Sequence, residues 1–329
     1  MKKNASLILG LSILLSACGT GPVSTPTATV TFTSSAPSET PTITPTFTAS
    51  ATFTSSPTPT PTWVFSGPDH VIVPILLYHW IAVSPSDGPY YKSPYYVKPE
   101  VFEEEIKLLH DCEYTTISID MLLKAITEGT ELPPRPVLIT FDDGHLNNYT
   151  TAFPIMEKYG FKGILYVVGN YIGTEDYMNA DQIREMAAAG WEVGSHSMSH
   201  ADLSTLDPQR QRYEVVESRE FLEETLGLPV RTIAYPFGSS NSSVIDYAHF
   251  AGFIAGMSLG FTHDQGSGNR FTLQRRDIKG TYDVKQFASF LPWQGDPIYL
   301  PTDTPTPTTT PTRTLIPTYT QYPVSTPAP

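Results

Sequence analysis

The stretch RPVLITFDDG, Arg135 to Gly144, decides the fold class. Val137 to Phe141 is apolar apart from one threonine and shows no alternation, so a strand here is buried on both faces. A proline opens the run and Asp142-Asp143-Gly144 closes it abruptly. Comparable runs recur at VIVPILLYH (71–79), KGILYVV (162–168), WEVGSH (191–196), RTIAYP (231–236) and FIAGMS (253–258), and LQRRDI (273–278) reads as a further strand. Strands buried on both faces belong to parallel sheets covered by helices.

Helical patterns fill the intervals. Residues 98–112 carry Phe102, Ile106 and Leu109 on one face. TTISI (115–119) is short and extended, and the helix over 120–129 is expected to start on Asp120 and stop at Gly129. Further helices are expected over 147–160, 179–190, 207–227, 242–252 and 284–291. Asp207 and Pro208 give the fifth its N-cap and first position. The pattern makes roughly seven strand–helix units, an α/β fold that either a closed barrel or an open doubly wound sheet satisfies. Neither G-x-G-x-x-G nor G-x-x-x-x-G-K-[ST] occurs, so dinucleotide and P-loop readings lose support.

The two ends of the 329-residue chain have another character. Residues 1–18 hold Lys2, Lys3, the apolar run LILGLSILL and small residues up to Cys18, which reads as a secretory signal. Leu15-Ser16-Ala17-Cys18 resembles a bacterial lipobox, so Cys18 is the expected lipidation site and membrane anchor, and the expected location is the outer face of the cell envelope. Residues 19–62 contain eight prolines, sixteen threonines and a single charge, Glu39. Residues 301–329 hold eight more prolines. Such segments lack the apolar surface to fold and are expected to be disordered, extended spacers. Residues 63–300 are left as one barrel-sized domain. Setting aside Lys2, Lys3, Arg313, Glu39 and Asp303 leaves 17 basic and 31 acidic side chains, a net charge of −14 for that domain. Nucleic acid and anionic lipid surfaces are poor partners for it. Cys112 has no partner cysteine within the domain, which excludes a disulfide framework there.

Polar groups gather where the strands end. His79 closes the first, Asp142 and Asp143 the second, and His196 and His200 follow the fourth. Pro236-Phe237-Gly238 follows the fifth. In a βα barrel, catalytic groups collect at the C-terminal ends of the strands. His196 and His200 are four apart, the spacing that points two rings the same way on a helical turn. Two histidines and one carboxylate make an open three-ligand site suited to zinc, with cobalt or nickel as alternatives. Neighbouring aspartates point in different directions, so one can bind metal while the other takes a proton from a metal-activated water. His79 across the site can deliver a proton to a leaving amine. The chemistry expected is metal-assisted hydrolysis of an amide or ester.

TFDDG, HSMSH and YPFG resemble the first three motifs of the polysaccharide deacetylase family, carbohydrate esterase family 4, over residues 70–295. The resemblance implies a distorted (β/α)7 barrel. It implies Asp142 as catalytic base, Asp143, His196 and His200 as metal ligands, and the Phe237 backbone N–H as oxyanion donor. Two departures stand out. The family's arginine two residues before the proline of its third motif is replaced by Ala234, and Arg275 is the candidate substitute beside Asp142. The family's Leu-x-His acid motif, normally near the C-terminus, stands at Leu77-Tyr78-His79. This resembles the circularly permuted members, such as secreted deacetylases of poly-glucosamine, and makes His79 the expected general acid, with His263 as competitor.

The expected activity is N-deacetylation of an N-acetylglucosamine-containing glycan by a monomer. Alternatives are O-deacetylation of a polysaccharide such as acetylxylan, or a glycan-binding module without turnover. Tyr90, Tyr91, Tyr95 and Tyr96 follow His79 and are candidates for stacking on sugar rings.

Overall fold

A computed structural model of the protein describes residues 68–88 and 90–292. Cys18, the Thr/Pro-rich stretches 19–62 and 301–329, and the edges of the 63–300 domain lie outside the described residues. Seven parallel strands form a closed barrel: β1 (Ile75–Tyr78), β2 (Pro136–Phe141), β3 (Ile164–Val167), β4 (Glu192–Ser195), β5 (Thr232–Ala234), β6 (Ala255–Leu259) and β7 (Leu273–Asp277). Strand β1 closes the ring, pairing with β2 from Ile75↔Leu138 to Tyr78↔Phe141 and with β7 at Leu76↔Arg276 and Leu77↔Asp277. The first and last strands are thus neighbours. The two-residue strand Thr115–Thr116 adds to the start of β2.

The run 71–78 is two strands rather than the single one expected. His70–Ile72 pairs antiparallel with Asp264–Gly266, and β1 begins only at Ile75. Pro74, with no N–H to donate, separates them. Its carbonyl still accepts from Leu138 N at 3.0 Å, which sets the register of β2.

Alternation along the strands sorts side chains into two layers. Leu76, Tyr78, Val137, Ile139, Phe141, Leu165 and Val167 share one buried cluster with helix residues such as Phe102, Ile106 and Met186. Ile75, Leu138, Ile164, Tyr166, Ala234, Ala255, Met257 and Leu273 form the other, which fills the barrel. Continuing the inward rows by two residues beyond Leu77, Thr140 and Gly194 reaches His79, Asp142 and His196. Period 2 therefore delivers these groups to one end of the barrel axis.

Two helix expectations need correction. The helix Ile119–Glu128 is capped by Ser118, whose hydroxyl accepts from Met121 N, and not by Asp120. Asp120 sits in the first turn and pairs with Arg231. Ser118 wins because its extended backbone leaves its Oγ beneath the free N–H groups. The expected helix over 207–227 begins as planned on Asp207 and Pro208 but includes a π-helical turn at Tyr213–Glu217 between Pro208–Arg212 and Ser218–Leu226. A second π turn, Asn148–Ala152, starts the helix that runs on through Phe153–Lys158. Both turns contact the candidate site. Among the described residues, no helix is long and apolar enough to cross a membrane.

Candidate active site

At the C-terminal end of the barrel a cavity of about 320 Å³ is lined by His79, Asp142, Asp143, His196, His200 and Arg275, among others. Phe237 stands at its edge, 64% exposed, with its ring 4.9 Å from that of His200. Tyr90 and Tyr95 also line the cavity, while Tyr96 lies stacked on Trp80 at 4.8 Å. Trp80, Tyr171, Tyr177 and Asp277 are lining residues that sequence reasoning did not single out.

Asp142 continues the inward row of β2 and meets Arg275, which points in from β7. The guanidinium donates to both carboxylate oxygens, Nη1 to Oδ1 at 2.6 Å and Nη2 to Oδ2 at 2.7 Å. Both side chains are almost wholly buried. Burial pushes the Asp142 carboxyl up, but the charge and hydrogen bonds of Arg275, with His196, outweigh it and hold it below the usual carboxylate range. Arg275 lies over the Tyr166 ring, 5.3 Å from its centroid. Gly194 makes room for that ring, since a Cβ there would sit 2.4 Å from Tyr166 Cε1.

Asp143 leaves the strand row, because its backbone is left-handed at φ 71°. Its side chain turns toward the histidines. Asp143 Oδ1 is 3.2 Å from His200 Nε2 and 3.6 Å from His196 Nε2, yet is aligned for no hydrogen bond. Burial raises the Asp143 carboxyl, but His145 and His200 hold it well below its ordinary value.

His196 and His200 do not share a helical turn. They flank a loop in which Ser197 and His200 are both left-handed, at φ 66° and 61°. Ser197 Oγ accepts from His200 N at 3.0 Å, and Ser199 donates twice to the buried Glu214 from the π turn. This network, rather than a helix, brings the rings to 5.0 Å between centroids. His196 Nδ1 lies 2.7 Å from the Ala234 carbonyl oxygen and donates to it, because a carbonyl only accepts. That leaves Nε2 as a free lone pair aimed into the cavity. Burial lowers the His196 pKa despite both aspartates, whereas for His200 the Asp143 carboxylate overcomes burial and raises it.

One donor atom each from Asp143, His196 and His200 lies within 4.8 Å of the others. An orphaned carboxylate oxygen and a tautomer-fixed imidazole form a possible metal site of the open three-ligand kind.

His79 leaves β1 into the same cavity. The other π turn holds its loop: Asn148 Nδ2 donates to the His79 carbonyl at 2.8 Å, and Asn147 Oδ1 accepts from Ile81 N at 2.8 Å. Burial lowers the His79 pKa, against the pull of Asp143 and Asp142. Among the described residues, His79 Nδ1 is buried without a hydrogen-bond partner. His263 is elsewhere: its carbonyl accepts from Val73 N, ahead of β1, and its ring is absent from the cavity lining. Cys112 is free and buried in the helix-side core. Asn148 and Glu214 escaped sequence reasoning because asparagine and glutamate on helices read as solvent-facing, and only their burial marks them; Asn147, half-buried, is marked only by its hydrogen bond to Ile81 N.

The polysaccharide deacetylase family model matches residues 129–256. Over 223 residues the chain is 33% identical to YxkH of Bacillus subtilis (strain 168), whose name assigns it to the polysaccharide deacetylases; the match covers 67% of this chain and 76% of that protein. This chain belongs to the polysaccharide deacetylase family. Its fold matches that of the Streptococcus pyogenes deacetylase PplD, solved in complex with acetate, with a TM-score of 0.63 at 24% identity. That likeness covers 69% of this chain and all of the PplD chain. A further relative of this deacetylase is the poly-beta-1,6-N-acetyl-D-glucosamine N-deacetylase of Staphylococcus aureus (strain MRSA252), 28% identical over 181 residues. That match spans 50% of this chain and 61% of the staphylococcal protein.

Proposed function

We propose that this deacetylase removes N-acetyl groups from an N-acetylglucosamine-containing polysaccharide at the outer face of the cell envelope. The observation that carries the reading is the convergence of Asp142, Asp143, His196, His200 and His79 on one cavity. The staphylococcal relative's named substrate supports the choice of glycan. Asp143, His196 and His200 would hold one divalent ion, zinc by the character of the donors, with cobalt or nickel as alternatives. Such an ion supplies Lewis-acid chemistry, acidifying water and polarising the acetyl carbonyl.

The remaining steps belong to the chain. Asp142, kept ionised by Arg275, takes a proton from the attacking water. The new C–O bond forms as the carbonyl oxygen gathers charge, which the Phe237 N–H is read as receiving. His79 gives a proton to the sugar nitrogen as the C–N bond breaks, releasing acetate and a free amine. Burial makes the His79 imidazolium a stronger acid than an exposed one. Tyr90 and Tyr95 offer flat apolar surfaces beside the cavity on which a sugar ring can lie. The permuted place of His79, the lipid anchor on Cys18 and the monomeric state belong to the same proposal and rest on the sequence.

The test is incubation of purified protein with N-acetylglucosamine oligomers and with acetylxylan, with and without added zinc, cobalt or nickel. Acetate release accompanied by an equal count of new amines supports the proposal. Acetate from acetylxylan alone makes the enzyme an O-deacetylase. No acetate from either substrate with any of the metals would overturn the reading.

A further inference from the structure

The residue after TFDDG has a place in the geometry that the three family motifs do not explain. His145 is buried, 2% exposed, at the mouth of β2. Its ring lies between two aromatic faces, 4.1 Å from Trp80 at an interplanar angle of 25°, and 4.9 Å from Tyr177 at 33°. Its backbone is tied down as well: it bridges to Tyr177, and its carbonyl accepts from Asn148 N at 3.0 Å. The ring has little freedom to turn, and its Nε2 stands 3.1 Å from Asp143 Oδ2.

We propose that His145 is a positioning residue for the metal centre, fixing Asp143 as a ligand through Oδ1 alone. The inference rests on the metal-site reading of Asp143, His196 and His200. A carboxylate only accepts, so His145 Nε2 carries the hydrogen and occupies Oδ2. The other oxygen, Oδ1, faces both ligand histidines and has no hydrogen bond among the described residues. The two oxygens are thereby given separate tasks. Without His145, Asp143 could rotate about its terminal torsion, which is broad and two-fold, and offer either oxygen or both. The left-handed backbone of Asp143 throws its side chain clear of the strand row, so no neighbour on β2 can replace the restraint. Trp80 and Tyr177, which clamp the imidazole, are themselves cavity walls, so the restraint on the ligand is built into the face that meets the substrate.

The test separates the hydrogen bond from the packing. His145→Phe keeps a flat ring between Trp80 and Tyr177 and removes the donor; His145→Ala removes both. Zinc affinity is measured by titration calorimetry on metal-free protein, and folding by circular dichroism and thermal melting of the same samples. Loss of such an outer hydrogen bond typically weakens metal binding about 10–100-fold. We expect that loss in both variants, with metal-free His145→Phe melting close to wild type. The visible spectrum of the cobalt(II)-loaded His145→Phe protein should also change in intensity, as Asp143 becomes free to chelate through both oxygens.

Wild-type zinc affinity and an unchanged cobalt spectrum in His145→Phe would overturn the proposal and leave His145 a packing residue. If His145→Phe does not fold, His145→Ala carries the same comparison. If wild-type protein itself binds no zinc or cobalt, the metal-site reading fails, and this inference falls with it. Zinc affinity that stays at the wild-type level in every His145 variant defeats the positioning role alone.

Discussion

Removing Arg275 should convert Asp142 from an ionised base into a buried acid. The perturbation is Arg275→Met, which keeps an unbranched side chain of similar length in the barrel but deletes both hydrogen bonds to Asp142, at 2.6 and 2.7 Å. The two side chains are 1% and 3% exposed, so water cannot replace the lost charge. Breaking one partner out of a buried pair typically costs about 3–5 kcal/mol, because the survivor is left charged and unpaired. Asp142 can relieve part of that cost by taking up a proton. In the wild type its pKa is lowered, so the pair's stability is present at neutral pH and lost only as the pH falls through that lowered value. In the variant burial dominates, the pKa is raised, and stability is instead lost as the pH rises.

The assay is urea denaturation of metal-free wild type and Arg275→Met from pH 5 to pH 8. The variant should be less stable at pH 7 and should recover toward wild type at pH 5. At about 2–4 °C per kcal/mol for a domain of this size, melting at pH 7 should fall by roughly 6–20 °C, toward the lower end where protonation of Asp142 relieves part of the cost. The acid limb of its pH–rate profile should move to higher pH, so that the deficit in turnover narrows as the pH is raised. The loss at pH 7 should stay below the about 10²–10⁴-fold of deleting an acid–base group. The double variant Asp142→Asn, Arg275→Met should regain much of the stability, since no unpaired charge remains. Equal urea midpoints at pH 7 for wild type and Arg275→Met, with an unmoved acid limb, would show that Arg275 does not keep Asp142 ionised.

Glu105, fully buried and hydrogen-bonded by Tyr78 at 2.9 Å, has its pKa pushed up to about 8 by burial. Its contribution is therefore present below about pH 4.5 and lost as the pH rises toward 8; Glu105→Gln should match wild type at pH 4.5 and be more stable by about 1–3 kcal/mol at pH 8, read by thermal melts at both pH values. His79→Ala should retain metal and fold but lose about 10²–10⁴-fold in amide hydrolysis, with a smaller loss on an activated aryl ester whose leaving group needs no proton. His263→Ala should leave both rates near wild type; if it abolishes amide hydrolysis while His79→Ala does not, the acid belongs to the later loop. Cys18→Ala should move the full-length protein from the detergent phase to the aqueous phase on phase partition, with an unchanged circular dichroism spectrum. Continued partition into detergent would rule out Cys18 as the lipidated residue.

Much of the barrel is written locally in this chain. Apolar runs such as 137–141, interrupted only by Thr140, and 164–168 point to a sheet covered on both faces, because regular polar alternation would have shown on an exposed one. The strand-end positions of His79, Asp142 and Asp143 follow from the same runs, since a strand's last inward residue marks where the core stops. Closure into a ring was not decided locally: an open sheet satisfies the same runs, and only the pairing of β1 with both β2 and β7 chooses between them. The convergence of His196 and His200, the candidate ligands, also needed the tertiary structure. A spacing of four suggests a helix, but left-handed Ser197 and His200, held by Glu214, produce the approach instead. The contact of Arg275 with Asp142 joins residues 133 apart, and that of Asn148 with His79 joins residues 69 apart. No local pattern encodes such pairs, because alternation tells which way a side chain points and not what it meets; the partner is set by how the strands close around a common axis.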